Sequence, residues 1–186
     1  MKNIKNKKYI AIFCGSKKGK KTIYKKETEE TIKLLNNHQY SFIYGGGSIG
    51  LMGIVFETIK NYKGKITGII PTILNKKHIR QKDKKNLLIV NSMSQRKNLI
   101  IKKSDFIIIF PGGYGTLDEL FEVLTLNQLK ITNRPVFILN TNNYWSPLKK
   151  LLLNAYKEGF ILKKDYNYII WANNPKDLLN KIKNII

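Results

Sequence analysis

Two side chains in this sequence could do chemistry: Glu119, which follows a glycine-rich turn of a kind that can hold phosphate, and Arg96, which follows a strand end. Pro111-Gly112-Gly113-Tyr114-Gly115-Thr116-Leu117-Asp118-Glu119 follows an apolar run, Phe106–Phe110, and opens a helical pattern. A strand that feeds a glycine-rich turn into a helix N-terminus exposes unpaired N–H groups, and the helix dipole there favours negative charge. Glycines let the backbone approach a phosphate closely. With Glu119 one turn inside the helix, a phosphate cradle and a carboxylate lie side by side, which points to chemistry on a phosphorylated small molecule. A second turn of this kind follows Ser41–Tyr44, as Gly45-Gly46-Gly47-Ser48-Ile49-Gly50-Leu51-Met52-Gly53. Cys14-Gly15-Ser16 ends the first apolar run. In a parallel sheet all three turns fall at one edge, where ligands bind.

The elements that must carry these turns alternate throughout. Apolar runs predict strands over Tyr9–Cys14, Tyr40–Tyr44, Lys65–Ile70, Leu87–Asn91, Ser104–Phe110 and Pro135–Leu139. Helical periodicity covers Ile23–Asn36, Ile49–Tyr62, Ser94–Lys103, Thr116–Lys130, Tyr144–Glu158 and Pro175–Ile185, with Gly159 as a C-cap. Leu117, Leu120, Phe121 and Leu124 are read as the buried stripe after the phosphate turn. Residues 71 to 86, rich in lysine, read as a surface loop, and Tyr166–Ile186 as one short strand and one helix. Strands apolar on both faces need helices on both faces. The pattern gives an α/β, doubly wound parallel sheet and one domain over residues 1–186.

Each candidate has a plainer reading. Thr116-Leu117-Asp118-Glu119 is also a capping box, in which Glu119 only ties back to the Thr116 N–H. Spacing alone leaves the two readings even, and the glycine cradle favours the chemical one. Arg96 sits at a helix start just after a strand end, where a solvated charge is the commoner outcome. It is one of three arginines, with Arg80 and Arg134, in a chain whose other cations are lysines, and Arg134 stands in an exposed-looking turn before Pro135. Thr125 says nothing alone, and Met52 reads as core that lies by the second glycine turn. Cys14 reads as a small buried hydrophobe. Gly15-Ser16-Lys17-Lys18-Gly19-Lys20-Lys21-Thr22 imitates a nucleotide-triphosphate loop but has three residues between its glycines rather than four, which argues against ATP hydrolysis. His38, His78 and the single cysteine offer no metal spacing and no catalytic triad, so neither metal nor cofactor is expected.

Composition bounds the rest. At 186 residues the chain can bury a full core, and its apolar runs are too short to span a membrane. The basic N-terminus, Met1 to Lys8, precedes an apolar run too short for a signal peptide, and one cysteine fits a reducing cytoplasm. The net charge of +22 would draw polyanions, yet it comes almost wholly from scattered lysines with no nucleic-acid module, so no specific nucleic-acid partner is expected.

Four motifs in order carry a family resemblance: Cys14-Gly15-Ser16; Tyr44 to Ser48 with Gly50-Leu51-Met52-Gly53; Met93-Ser94-Gln95-Arg96-Lys97; and Pro111 to Glu119. Phe121-Glu122-Val123-Leu124-Thr125 and Gln128-Leu129 follow. Over residues 9 to 160 the chain resembles the Lonely Guy family of cytokinin-activating phosphoribohydrolases, often mislabelled lysine decarboxylases. The resemblance implies a Rossmann-like fold, a homodimer and hydrolysis of a nucleoside 5′-monophosphate to free base and ribose 5-phosphate. It implies Arg96 and Glu119 as catalytic residues. The substrate-binding set it implies is Ser16, Gly46, Gly47, Met52, Arg96, Lys97, Gly113, Tyr114, Gly115, Thr116, Leu117, Asp118, Glu119 and Thr125. The chain departs from the family at Lys77 and His78, where an Arg-Glu pair is usual, at Ser94, usually His, and at Leu126 and Lys130, often Trp and Gly. The rival reading is a non-catalytic nucleotide or molybdenum-cofactor carrier on the same fold.

Overall fold

The computed structural model describes residues 8–76 and 79–186. The basic stretch before Lys8 and the departures at Lys77 and His78 lie outside the described residues. Among the described residues, seven strands form one sheet: β1 (Tyr9–Phe13), β2 (Ser41–Tyr44), β3 (Lys65–Pro71), β4 (Leu87–Val90), β5 (Phe106–Ile109), β6 (Val136–Leu139) and β7 (Ile169–Ala172). Their order is β4-β3-β2-β1-β5-β6-β7, and all pairs are parallel. The chain therefore winds outward from β1 in one direction and, after β4, outward from β5 in the other. This is the doubly wound, Rossmann-like α/β arrangement, and its topological switch point lies between β1 and β5.

Among the described residues, six α-helices lie between the strands, α1 (Thr22–Asn37), α2 (Gly50–Asn61), α3 (Met93–Lys103), α4 (Tyr114–Gln128), α5 (Ser146–Lys157) and the single turn α6 (Lys163–Tyr166), and α7 (Pro175–Ile185) follows the last strand. Successive strand residues point to opposite faces, so each strand feeds two cores. Ile10, Ile12, Phe42, Phe106, Ile108 and Phe137 pack with Leu35, Val55, Ile59 and Ile182 on one face. Ala11, Phe13, Ile43, Ile107, Ile109 and Ile138 pack with Ile100, Leu120, Val123 and Leu148 on the other.

Three expectations change. The buried face of α4 is Thr116, Glu119, Leu120, Val123 and Asn127, whereas Leu117 and Leu124 are half-buried and Phe121 is exposed. The apolar stripe of the sequence is thus rotated, because three polar side chains, Thr116, Glu119 and Asn127, take inward positions. Within the 71–86 segment, residues 79–81 are tied to the second glycine turn rather than free at the surface. Gln81 N–H donates to Gly46 O at 2.8 Å, Ser48 N–H to Ile79 O at 2.7 Å, and Gly47 and Arg80 form an isolated bridge. The short helix α6 is an element that the periodicity misses, because one turn is shorter than a helical period can reveal. Gly159 caps α5 as expected, with φ +81°.

Candidate functional site

The β1–β5 register carries straight into the turns. Phe110 N–H donates to Phe13 O at 2.9 Å and Gly15 N–H to Pro111 O at 3.0 Å, so Cys14-Gly15-Ser16 and Pro111-Gly112-Gly113 leave the sheet side by side at the switch point. Helix α4 begins at Tyr114 with Gly113 as its N-cap, and no side chain caps it. The capping box is therefore absent. Thr116 lies inside the first turn, 3% exposed and packed on Gly112, where a Cβ would fall 2.0 Å from the Thr116 Oγ1. Only glycine fits at 112. The N–H groups of the first turn have no helical partner, and Gly113, Tyr114 and Gly115 are exposed around them.

Glu119 is turned inward instead, 5% exposed, and its Oε1 lies 3.3 Å from the Arg96 guanidinium. Arg96 is itself 7% exposed. Its side chain reaches across the sheet edge, donating from Nε to Ile69 O at 3.2 Å and from Nη2 to Gly45 O at 3.4 Å. The carbonyls at the ends of β3 and β2 thus orient the cation toward the helix that follows β5. Gly45 makes room for it, since a Cβ there would fall 1.8 Å from Arg96 Nη2. Met52 packs against the same turn, and a Cβ added at Gly45 or Gly47 would fall 3.2 Å from its Sδ.

Burial pushes the Glu119 carboxyl up from 4.5 to about 7, against the pull of Arg96, which holds it down. Asp118 adds to the rise. A carboxylate that titrates near neutrality is suited to take or give a proton. Lys97, next to Arg96, bonds to Asp118 at 3.0 Å and to Glu122 at 2.6 Å, which ties α3 to α4. Burial lowers its pKa, but the two acidic partners reverse that and leave the ammonium above its ordinary value. Cys14 is buried at the end of β1, and burial pushes its thiol up, so it stays protonated.

The structure thus brings Arg96, Lys97, Thr116, Asp118, Glu119, Gly46, Gly47 and Met52 to one sheet edge with Gly113, Tyr114 and Gly115, and the exposed Ser16 lies beside them. Leu117 is half-buried on α4. Thr125 is exposed, six residues from Glu119 and roughly 240° around the helix from it, so the two do not meet within one chain. Arg80 bonds to Asn75 at 3.1 Å, and Arg134 is half-buried rather than exposed. Ser94 is exposed and Leu126 half-buried on the Leu120 side of the sheet. A cavity of about 480 Å³ between Asn127, Lys130, Ile131, Thr132, Asn133 and Tyr168 lies at the far end of α4. Among the described residues, no cluster of three or more His, Cys, Asp or Glu is placed to hold a metal, and no helix is long and apolar enough to cross a membrane.

Sequence reasoning gave no role to two residues that shape this edge, Tyr44 and Gln81. The Tyr44 hydroxyl, buried at the end of β2, reaches Gly47 O at 3.1 Å and Gln81 Oε1 at 2.9 Å. Gln81, 1% exposed, also donates to Asp83 O and Asn86 O at 2.6 and 3.0 Å. One polar residue in a lysine-rich stretch carries no periodic signal that would mark it as buried.

A family model described as "Possible lysine decarboxylase" matches residues 52–182. A rice protein (Oryza sativa subsp. japonica) named as a probable cytokinin riboside 5′-monophosphate phosphoribohydrolase is 39% identical over 94% of this chain and 71% of its own length. An Arabidopsis thaliana cytokinin riboside 5′-monophosphate phosphoribohydrolase is 38% identical over 96% of this chain and 84% of its own. The chain belongs to the Lonely Guy family. Solved structures share the fold of this Lonely Guy protein. The molybdenum cofactor binding protein of Rippkaea orientalis superposes with a TM-score of 0.73 at 22% identity, covering 97% of this chain and 98% of its own. The molybdenum cofactor carrier of Chlamydomonas reinhardtii gives 0.73 at 18%, covering 96% and 98%. At that identity they share the fold alone.

Proposed function

We propose that this chain hydrolyses the N-glycosidic bond of a purine nucleoside 5′-monophosphate, AMP or an N6-substituted adenine nucleotide, to free base and ribose 5-phosphate. This is the cytokinin-activating type of reaction, and it matches the names of the chain's relatives. The observation that carries the reading is the buried Arg96–Glu119 pair beside a glycine-rich helix start. The 5′-phosphate docks on the N–H groups of Gly113 to Thr116, and the Thr116 hydroxyl adds a bond. Charge-assisted bonds of this kind are among the stronger ones. Held by this remote group, the sugar presents its anomeric carbon to Glu119.

Cleavage passes through an oxocarbenium-like state. Glu119 stabilises the positive charge and takes a proton from the attacking water. The water oxygen bonds to C1′, the C1′–N bond breaks, and its electron pair leaves with the base, which then takes up a proton. Arg96 orients the nucleotide and stabilises the electron-rich leaving base. Ser16, Gly46, Gly47 and Met52 wall the nucleoside side, and Lys97, Tyr114, Leu117 and Asp118 the phosphate side. No step calls for a metal or cofactor.

The whole chain acts as one domain, in the cytoplasm, as a homodimer. Thr125 supports the dimer: facing away from its own Glu119, it meets substrate only if a second copy packs on this face of α4, where Phe121 and Leu129 are also exposed. The test is chromatography of free base after mixing the protein with AMP or with isopentenyladenosine monophosphate, beside the Glu119→Gln variant. Base release by the wild type, reduced on the order of 10²-fold or more in the variant, is expected. Equal release by both would overturn the assignment of Glu119.

A further inference from the structure

Tyr144 takes no part in the chemistry above, yet it touches the turn that performs it. It follows β6, and its hydroxyl donates to the carbonyl oxygen of Gly112, 32 residues away. Its ring meets Tyr24 of α1 edge-on at 5.8 Å and Trp145 at 4.8 Å, so the side chain is held from two sides. Burial raises its pKa above the ordinary tyrosine value, which keeps the hydroxyl a donor. The chain reaches Tyr144 through two residues in left-handed conformation, Asn142 at φ +50° and Asn143 at φ +60°. Such residues persist where the surroundings over-determine them. Here the Asn140 side chain does so, accepting from Trp145 N–H at 2.7 Å and donating to Ser146 Oγ at 3.1 Å.

The glycine turn has few other ties. Pro111 O accepts from Gly15 N–H at 3.0 Å, and Gly113 O accepts from Leu117 N–H at 3.0 Å as the helix begins. Between these anchors lies one peptide unit, Gly112–Gly113, flanked by glycine on both sides and therefore free to rotate. A trans peptide is planar, and its C=O and N–H point in opposite directions. Fixing the Gly112 carbonyl on Tyr144 thus aims the Gly113 N–H away from Tyr144.

We propose that Tyr144 is a positioning residue that sets the orientation of the Gly112–Gly113 peptide, so that the Gly113 N–H faces the phosphoryl group of the nucleotide. The proposal rests on the reading that this turn holds phosphate. Tyr144→Phe tests it, because the ring and its packing on Tyr24 and Trp145 are kept while the hydroxyl is lost.

The measurement is calorimetric affinity for ribose 5-phosphate, wild type against Tyr144→Phe, with a melting curve of each. One hydrogen bond of ordinary strength predicts a loss of affinity of about three- to tenfold, with melting temperatures within about 3 °C. Equal affinity in the two proteins would overturn the proposal. So would a loss of affinity accompanied by a fall in melting temperature of more than about 10 °C, since the hydroxyl would then serve the fold at large. Wild-type protein that binds no ribose 5-phosphate would overturn the reading of the turn itself, and the role of Tyr144 with it.

Discussion

Glu119 makes this protein less stable as pH rises, and replacing it should show by how much. Its carboxyl titrates at about 7 in the folded protein and at about 4.5 in the unfolded chain, because burial penalises the charged form more than Arg96 relieves it. Between these values the folded state binds more protons than the unfolded one, so stability falls as pH rises through that window. Glu119→Gln mimics the protonated side chain at every pH. Each pKa unit corresponds to about 1.4 kcal/mol. The variant should therefore gain roughly 1 kcal/mol over the wild type at pH 5 and about 3 kcal/mol at pH 8. For a chain of this size the change between the two pH values amounts to about 5–10 °C in relative melting temperature. Urea titrations of both proteins at several pH values measure it, and subtracting one curve from the other removes every titration they share. A difference that does not grow with pH, or a variant less stable than wild type at pH 8, would refute the argument that burial outweighs the ion pair. Stability gained together with lost activity is the expected signature of a functional carboxylate buried at a cost.

Three further outcomes follow from the same geometry. Base release per unit enzyme should rise with pH through about 7 as Glu119 becomes the base, and a rate flat from roughly pH 5 to 8 would count against that role. Gly45→Ala places a methyl 1.8 Å from Arg96 Nη2. It should displace the guanidinium and lower base release on the order of 10²-fold, as a kinetic assay beside a melting curve would show. Gln81→Ala leaves the buried Tyr44 hydroxyl without its side-chain partner and frees the 79–86 strap. It should cost about 1–3 kcal/mol in urea unfolding.

Local rules made most of the fold legible. The alternation of apolar runs with helical periods gave the doubly wound sheet, and strand-turn-helix order alone placed the glycine turns at one edge, because a parallel sheet has only one such edge. Those features depend on near neighbours in the chain. The membership of one pocket depends on distant ones. Arg96 and Glu119 are 23 residues apart in sequence, and they meet because β5 returns to the centre of the sheet beside β1. Spacing left Glu119 undecided between a cap and a buried acid. Packing decided it, since the helix starts two residues earlier than its periodicity indicates and turns Thr116 and Glu119 inward. The strap from Gln81 to Tyr44 and the bond from Tyr144 to Gly112 leave no local trace, because each joins a single polar side chain to a group more than thirty residues away. The sequence by itself therefore determined the layers and the type of turn. Only the tertiary structure decided which charges are buried together, and burial is what gives Glu119 a neutral-range pKa.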